Sequence, residues 1–209
     1  SFEQALVESS HILAVRGQVV PSTSANLKLK VKFTDGTSVE GESSISNHEG
    51  NIDQISIDPS DAPGHHLAIK AIEDAEIVVI GPGSLYTSIL PNLLVPDISA
   101  AIKRTSVPIV YVCNVATEVG ETQGYSIVEH IETLRKFTFR EVANYVIANN
   151  AKLDLRLEYP GDPVVDDGRT VTPATLVLAD LSDPEVPIRH SSGKLAATVM
   201  NVYWKSEVS

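Results

Sequence analysis

Gly81-Pro82-Gly83 is followed at short spacing by the hydroxyl side chains Ser84, Thr87 and Ser88. Glycine lets a chain turn sharply or lie close to a ligand, and proline fixes its own φ. Backbone N–H groups from Ser84 to Thr87 would open a helix and point at an anion, so the chemistry on offer is phosphate binding. The competing reading is an ordinary strand-to-helix turn with Ser84 as N-cap. A second polar stretch, Asn114 to Thr122, carries Asn114, Thr117, Glu118 and Glu121. Its amide, hydroxyl and carboxylate groups suit the hydroxyls of a sugar, and Glu118 and Glu121 would also suit Mg²⁺, although a loop carboxylate is more often simply exposed. Asn149-Asn150 forms a third such cluster.

Other chemistries are less well supported. His65 and His66 are adjacent, and neighbours at a helix start point in different directions, so a solvated turn is a better expectation than a metal pair. Cys113 ends an apolar run with no histidine nearby in sequence, which favours a small core residue over a nucleophile.

The elements that must position these groups follow from periodicity. Ile77 to Ile80 is a run of β-branched residues without polar alternation, the pattern of a strand buried on both faces of a parallel sheet. From residue 61 onward helix and strand alternate: a helix near Gly64–Ala75 with Leu67, Ala71, Ile72 and Ala75 inward, a helix near Asp97–Arg104, a strand at 109–113 and one at 144–148. Ser126 and Glu129 form a capping box for a helix ending near Phe137. Thr175–Ala179 reads as a further buried strand, Ile188 to His190 as a short one and Gly193–Trp204 as a closing helix, with largely loop between 151 and 173. Strands of a parallel sheet present their carboxyl ends at one edge, where ligands of open α/β folds bind. The three polar stretches are therefore expected to converge.

Upstream, Leu27, Leu29, Val31 and Phe33 alternate with Lys28, Lys30 and Lys32, Asp35-Gly36 marks a hairpin, and Ser38–Ile45 continues the alternation. Residues 15 to 58 are expected to form an antiparallel β-hairpin insertion, with a short strand at Ile52 to Ile57, inside one domain over 1–209. Phe2, Leu6, Ser9 and Leu13 recur at near-helical spacing with no cap before them, so the chain is expected to start inside a helix and to lack the first strands of its sheet. An uncovered edge of that kind would favour association of copies into a homo-oligomer.

The whole is 209 residues with 43% hydrophobic and 21% charged residues, ordinary for a globular domain. Sixteen Lys and Arg against 27 Asp and Glu give a net charge of −11, which repels nucleic acid but not a small phosphate ligand held by local donors. A single cysteine forbids an internal disulfide and fits a cytoplasmic location. No apolar run approaches the roughly 20 residues of a membrane span, so no membrane insertion is expected.

The run Gly81-Pro82-Gly83-Ser84-Leu85-Tyr86-Thr87-Ser88-Ile89-Leu90-Pro91-Asn92-Leu93-Leu94-Val95 closely resembles the signature of the gluconeogenesis-factor branch of the CofD-like superfamily. The likeness continues through Cys113-Asn114, Gly120-Glu121-Thr122 and Gly124-Tyr125 to His130, reaches back to Val15-Arg16-Gly17 and Asp35-Gly36-Thr37, and touches Ile188-Arg189-His190. Ala116-Thr117-Glu118-Val119 departs from the family's usual Met-Thr-Gln-Pro, and the family's amino-terminal glycine-rich loop is absent.

The resemblance implies a Rossmann-like three-layer α/β sandwich with a mainly parallel sheet. It also implies a cytoplasmic regulatory protein of carbon metabolism and cell shape that binds a nucleotide-sugar such as a UDP-sugar. An alternative it carries is the superfamily's enzyme branch, a 2-phospho-L-lactate transferase working with Mg²⁺. A third is a scaffold with a vestigial pocket. The ligand set expected from residues and resemblance together is Gly81, Gly83, Ser84 and Thr87 on the diphosphate, Asn114, Thr117 and Glu121 on hydroxyls or base, Tyr125 stacked on the base and Arg189 on phosphate. The plain alternatives are packing for Tyr125 and a surface ion pair for Arg189.

Overall fold

Residues 17–48, 50–153, 159 and 161–207 are described by a computed structural model. The helix expected over residues 2–13 lies outside them. β1 (Lys28–Phe33) pairs antiparallel with β2 (Ser38–Glu40) on one side and β3 (Ile52–Asp58) on the other, giving the order β2-β1-β3. The antiparallel unit is thus the expected hairpin, with the expected strand near 52–57 added on the other side of β1.

Its apolar face, with Val31, Phe33, Ile55 and Ile57, is buried in the main core. The lysine face is wet, with Lys28 on Glu40 at 2.8 Å and Lys30 on Asp58 at 2.5 Å. Exposed pairs of this kind contribute little, because solvent and salt screen them. The expected strand over 38–45 stops at Glu40. Gly41 has φ +89°, a left-handed conformation, and the chain then winds into α1 (Glu42–Ser46), which buries Ile45.

The second sheet is parallel, in the order β4-β5-β6-β7: β4 (Val78–Ile80), β5 (Ile109–Val112), β6 (Tyr145–Asn149) and β7 (Thr175–Ala179). Helices cover both faces. On one, Ile109, Tyr111, Cys113, Val146 and Ala148 share a core with Ile98 and Ile102 of α4 (Pro96–Arg104) and with Ile127, Ile131 and Leu134 of α5 (Ile127–Phe137). That core extends into the antiparallel sheet. On the other face, Val110, Val112 and Ile147 meet Leu181 and α6 (Ser192–Ser206) through Val202, Leu195 and Val199. This is a three-layer α/β arrangement with an antiparallel sheet docked at one side.

Arg135 of α5 pins the loop before β7, donating to the carbonyls of Val171 (2.6 Å), Thr172 (3.1 Å) and Arg140 (3.1 Å). Among the described residues no single helix is long and apolar enough to cross a membrane.

Several sequence expectations shift. Among the described residues β4 and β7 are the outer strands of this sheet, and Val79 and Leu178 remain 42% and 40% exposed there. The helix after residue 64 is α2 (His66–Glu73), and its inward face is Ala68, Ile69 and Ile72, one position round from the expected stripe, leaving Leu67 exposed. His65 is buried and its Nδ1 accepts from the Leu67 N–H, so it is a helix cap rather than part of a solvated turn. Residues 188–190 form only a bridge, His190 to Ser182.

Candidate functional site

Strand ends build the site. After β4 the chain turns at Gly81, whose φ of +85° suits glycine, and a Cβ there would stand 3.1 Å from the Val112 carbonyl oxygen and 3.2 Å from Ile89 Cδ1. Pro82 and Gly83 then lie over the sheet edge, and a π-helical turn (Leu85–Ile89) leads into α3 (Leu90–Leu93). After β5 come Asn114 to Val119, and from the carboxyl-terminal segment Ile188, Arg189 and His190 approach. Pro82, Gly83, Asn114, Val115, Ala116, Thr117, Glu118, Val119 and residues 188–190 enclose a hollow of about 620 Å³ at the carboxyl edge of the parallel sheet. Its floor is mostly apolar and its polar groups are few, the usual make-up of a small-molecule site.

Of the expected ligand set, Gly83, Asn114, Thr117 and Arg189 are thereby brought together. Gly81 shapes the turn beneath them. Asn114 Nδ2 donates to Glu118 Oε1 at 3.2 Å, which leaves Asn114 Oδ1 and the other oxygen of Glu118 as acceptors. Thr117 is clamped: its N–H donates to the Asp162 carbonyl at 2.8 Å and its Oγ1 accepts from the Asp162 N–H at 2.9 Å. Val164 N–H reaches the Val115 carbonyl and Ala116 bridges to Pro163, so residues 161–165 strap the wall of the hollow from outside. The strap ends at the start of α5, where Ile127 N–H donates to the Val165 carbonyl. Beyond it, Arg169 grips Asp167 and Glu129 beside the Ser126 capping box. That guanidinium holds the Asp167 carboxyl well below the usual carboxylate range.

Thr87, Glu121 and Tyr125 gather elsewhere, around Tyr86. Glu121, 7% exposed, accepts from the Tyr86 N–H through Oε2 at 3.2 Å and from Thr87 Oγ1 through Oε1 at 2.8 Å. A carboxylate of the chain itself therefore stands at the helix start where the sequence reading seats a diphosphate. The physics is the same, since exposed N–H groups and the helix dipole favour any anion. Ser84 occupies the N-cap position without a side-chain cap bond. Tyr125 Oη is 2.7 Å from Tyr86 Oη, and the Tyr125 ring meets Tyr86 and His130 edge-on at 6.5 and 5.6 Å, an aromatic cluster outside the hollow. Asn149 is engaged too, its Oδ1 accepting from the Leu181 and Ala151 N–H groups.

Cys113 is fully buried beneath the hollow, its thiol pushed up to about 12 by burial, which suits packing and not nucleophilic work. Glu118, a candidate for Mg²⁺ or sugar hydroxyls outside the expected ligand set, and His190, which the sequence reading does not single out as a ligand, both line the hollow. Glu118 was recognisable as a loop carboxylate beside Glu121, and only the fold decides which of the two faces the hollow. His190 adjoins Arg189 in the same short run, and adjacency was the available signal. Its Nε2 lies 3.2 Å from the Cys113 carbonyl oxygen, and burial lowers its pKa from the ordinary histidine value against the raising effect of that bond.

Three comparisons bear on this architecture. A family model described as 2-phospho-L-lactate transferase CofD matches residues 1–169. A Nostoc sp. protein provisionally named a gluconeogenesis factor is 40% identical over 96% of this chain and 46% of its own length. The gluconeogenesis factor of Halalkalibacterium halodurans is 32% identical over 95% of this chain and 64% of its own length. The crystal structure of a UPF0052-family protein from Bacillus halodurans superposes with a TM-score of 0.89 at 32% identity, covering 95% of this chain and 66% of that one. The chain thus spans about half to two thirds of the length of these relatives. With the family model matching four fifths of the sequence and the same fold in a solved relative, the chain belongs to the CofD family, among relatives that carry the name gluconeogenesis factor.

Proposed function

We propose that this chain carries the ligand-recognising part of a cytoplasmic, nucleotide-sugar-binding regulator of gluconeogenic carbon metabolism and cell shape. The observation that carries the reading is the hollow at the carboxyl edge of the parallel sheet, where Gly83, Asn114, Thr117 and Arg189 meet. The glycine turn lets a ligand approach the backbone, the amide and the threonine face its hydroxyls, and Arg189 takes phosphate in the two-pronged geometry that lysine cannot reproduce. The exposed guanidinium also supplies a positive charge to a chain of net charge −11. The names of relatives support the link to gluconeogenic carbon metabolism. A diphosphate placed against Arg189 and Gly83 avoids the Glu121 carboxylate, which a diphosphate at the Thr87 hydroxyl would have to displace. Tyr125, held by Tyr86 and outside the hollow, then reads as a packing residue.

The test is calorimetric titration with a UDP-sugar. Arg189→Ala removes one charge-assisted contact, about 1.5–3 kcal/mol, and should weaken binding about tenfold to a hundredfold. Equal affinity in the variant defeats the role of Arg189. Failure of the unaltered protein to bind any nucleotide defeats the reading as a whole.

The transferase reading is favoured by the description of the matching family. Among the described residues no three His, Cys, Asp or Glu side chains come together as metal ligands, and Glu118 is the one carboxylate of the hollow. These residues alone do not fit a Mg²⁺ centre, and no step is assigned to one. Mg²⁺-dependent turnover of a nucleotide-linked phospholactate would establish the enzyme reading instead.

A further inference from the structure

We propose that His190 is a ligand-binding residue of the hollow, held as the Nε2–H tautomer by the Cys113 carbonyl so that Nδ1 accepts a hydrogen bond from an O–H or N–H of the ligand. This rests on the reading of the hollow as a ligand site and deepens it: Arg189 takes the anionic part, His190 the donor-bearing part.

The argument begins with the bond to Cys113. A carbonyl oxygen only accepts, so the ring nitrogen 3.2 Å from it must carry the proton. In the neutral ring the other nitrogen is then a lone-pair acceptor, and burial keeps the ring neutral by disfavouring the imidazolium. Nδ1 has no hydrogen-bond partner among the described residues. It is also not one of the sealed, unpartnered polar atoms there, which are Tyr111 Oη and His130 Nε2, so it remains open to solvent in a ring that lines the hollow.

The backbone that presents the ring is well held. His190 bridges to Ser182, the Asp183 N–H donates to the Arg189 carbonyl at 2.9 Å, the Arg189 N–H to Val186 at 2.8 Å and the Ser191 N–H to Leu181 at 2.7 Å. A preorganised acceptor loses little freedom on binding. With Asn114 Oδ1 and the second oxygen of Glu118 on the same wall, this part of the hollow is rich in acceptors and suits hydroxyls better than phosphate oxygens.

The groups facing the ring or sharing its loop are Glu118 and Arg189 in the hollow, Asp183 behind it and Cys113 beneath. The Asp183 carboxyl is held below the usual carboxylate range by the backbone N–H groups of Val186 and Glu185, and the Cys113 thiol, raised to about 12, stays protonated near neutral pH. Imidazole is the side chain whose ordinary titration lies closest to neutral pH, between about pH 5 and 8. Protonation turns the acceptor into a donor, so affinity should hold near neutrality and weaken as pH falls through the lowered pKa of His190. A histidine that served instead as a cation for phosphate would bind more tightly on acidification.

The experiment has two readouts on the full chain. First, nitrogen NMR shifts of His190 at pH 7.5 should show a neutral ring protonated at Nε2; a ring protonated at Nδ1, or at both nitrogens, overturns the proposal. Second, a UDP-sugar, whose diphosphate does not titrate here, is bound between pH 5.5 and 7.5 by the unaltered protein and by His190→Gln. The glutamine amide can keep the bond to Cys113 while lacking Nδ1. About tenfold weaker binding at pH 7.5 and a flat pH profile in the variant are expected. Unchanged affinity, or tightening of the unaltered protein on acidification, overturns it. Running UDP alongside at pH 7.5, above the titration of its terminal phosphate near about pH 6, locates the donor: loss with both ligands puts it on the nucleoside, loss with the UDP-sugar alone puts it on the sugar. If the unaltered protein binds no nucleotide, the functional reading falls and this proposal falls with it, whereas the wrong tautomer, or unchanged binding by the variant, overturns this proposal alone.

Discussion

Gly161→Ala is expected to destabilise the protein by about 3 kcal/mol or more and to loosen the wall of the hollow. Gly161 has φ +100°, where an L side chain is strained by about 1–3 kcal/mol. A Cβ built there would stand 2.1 Å from the Thr117 carbonyl oxygen, far inside contact distance. The obstacle is backbone, not the end of a flexible side chain. Thr117 cannot withdraw cheaply, because both its N–H and its hydroxyl are bonded to Asp162, one residue on from the substituted position. Either the strap lifts and gives up these bonds, at about 1 kcal/mol each, or the wall of the hollow shifts with it. Urea unfolding measures the loss, and hydrogen exchange at the Thr117 and Asp162 amides locates it. A variant as stable as the parent, with both amides still protected, would show that the strap does not bind the wall as described.

A loss of similar size, about 3 kcal/mol, is expected for Glu121→Ala. The carboxylate is nearly sealed from solvent and holds the Tyr86 N–H and the Thr87 hydroxyl together at the start of the π-turn. Truncation leaves two donors without that acceptor, at about 1–3 kcal/mol for each buried group left unmade. Glu121→Gln keeps the shape and one carbonyl oxygen, so it should lose roughly half as much. A double-mutant cycle with Thr87→Val isolates the pair, and a coupling of about 1 kcal/mol or more is expected between groups in direct contact. Strictly additive losses would mean that the carboxylate acts through other neighbours.

What sequence reveals here tracks the reach of the interaction. The Ser126 and Glu129 capping box spans four residues and forms as its pattern dictates. Strand β7 falls on its expected residues because its apolar run is continuous, yet its exposure is not readable, since only the sheet order makes it an edge. The stretch 38–45 misleads because its alternation rests on Gly41 and Ser43 between two genuine apolar positions, and a glycine at positive φ ends a strand as readily as it continues one. Glu121 is the clearest case in the candidate site. Its partners Tyr86 and Thr87 lie 35 and 34 residues upstream, so nothing local distinguishes it from Glu118, three residues earlier, which faces the hollow instead. Spacing identified the polar strand ends, while the division of labour among their side chains belongs to the tertiary structure.

The order β4-β5-β6-β7 has a consequence for how the chain is made. Each strand of the parallel sheet pairs with the next one in sequence, so every crossover can dock as it leaves the ribosome, without waiting for a distant partner. The two faces do not mature together. Helices α4 and α5 precede β6 and are available to cover the first face early, whereas Val110, Val112 and Ile147 on the second face wait for Leu195, Val199 and Val202 of α6. During synthesis of the roughly fifty residues between β6 and Val202, the nascent sheet carries a bare aliphatic surface, the kind that makes partly made chains prone to aggregate.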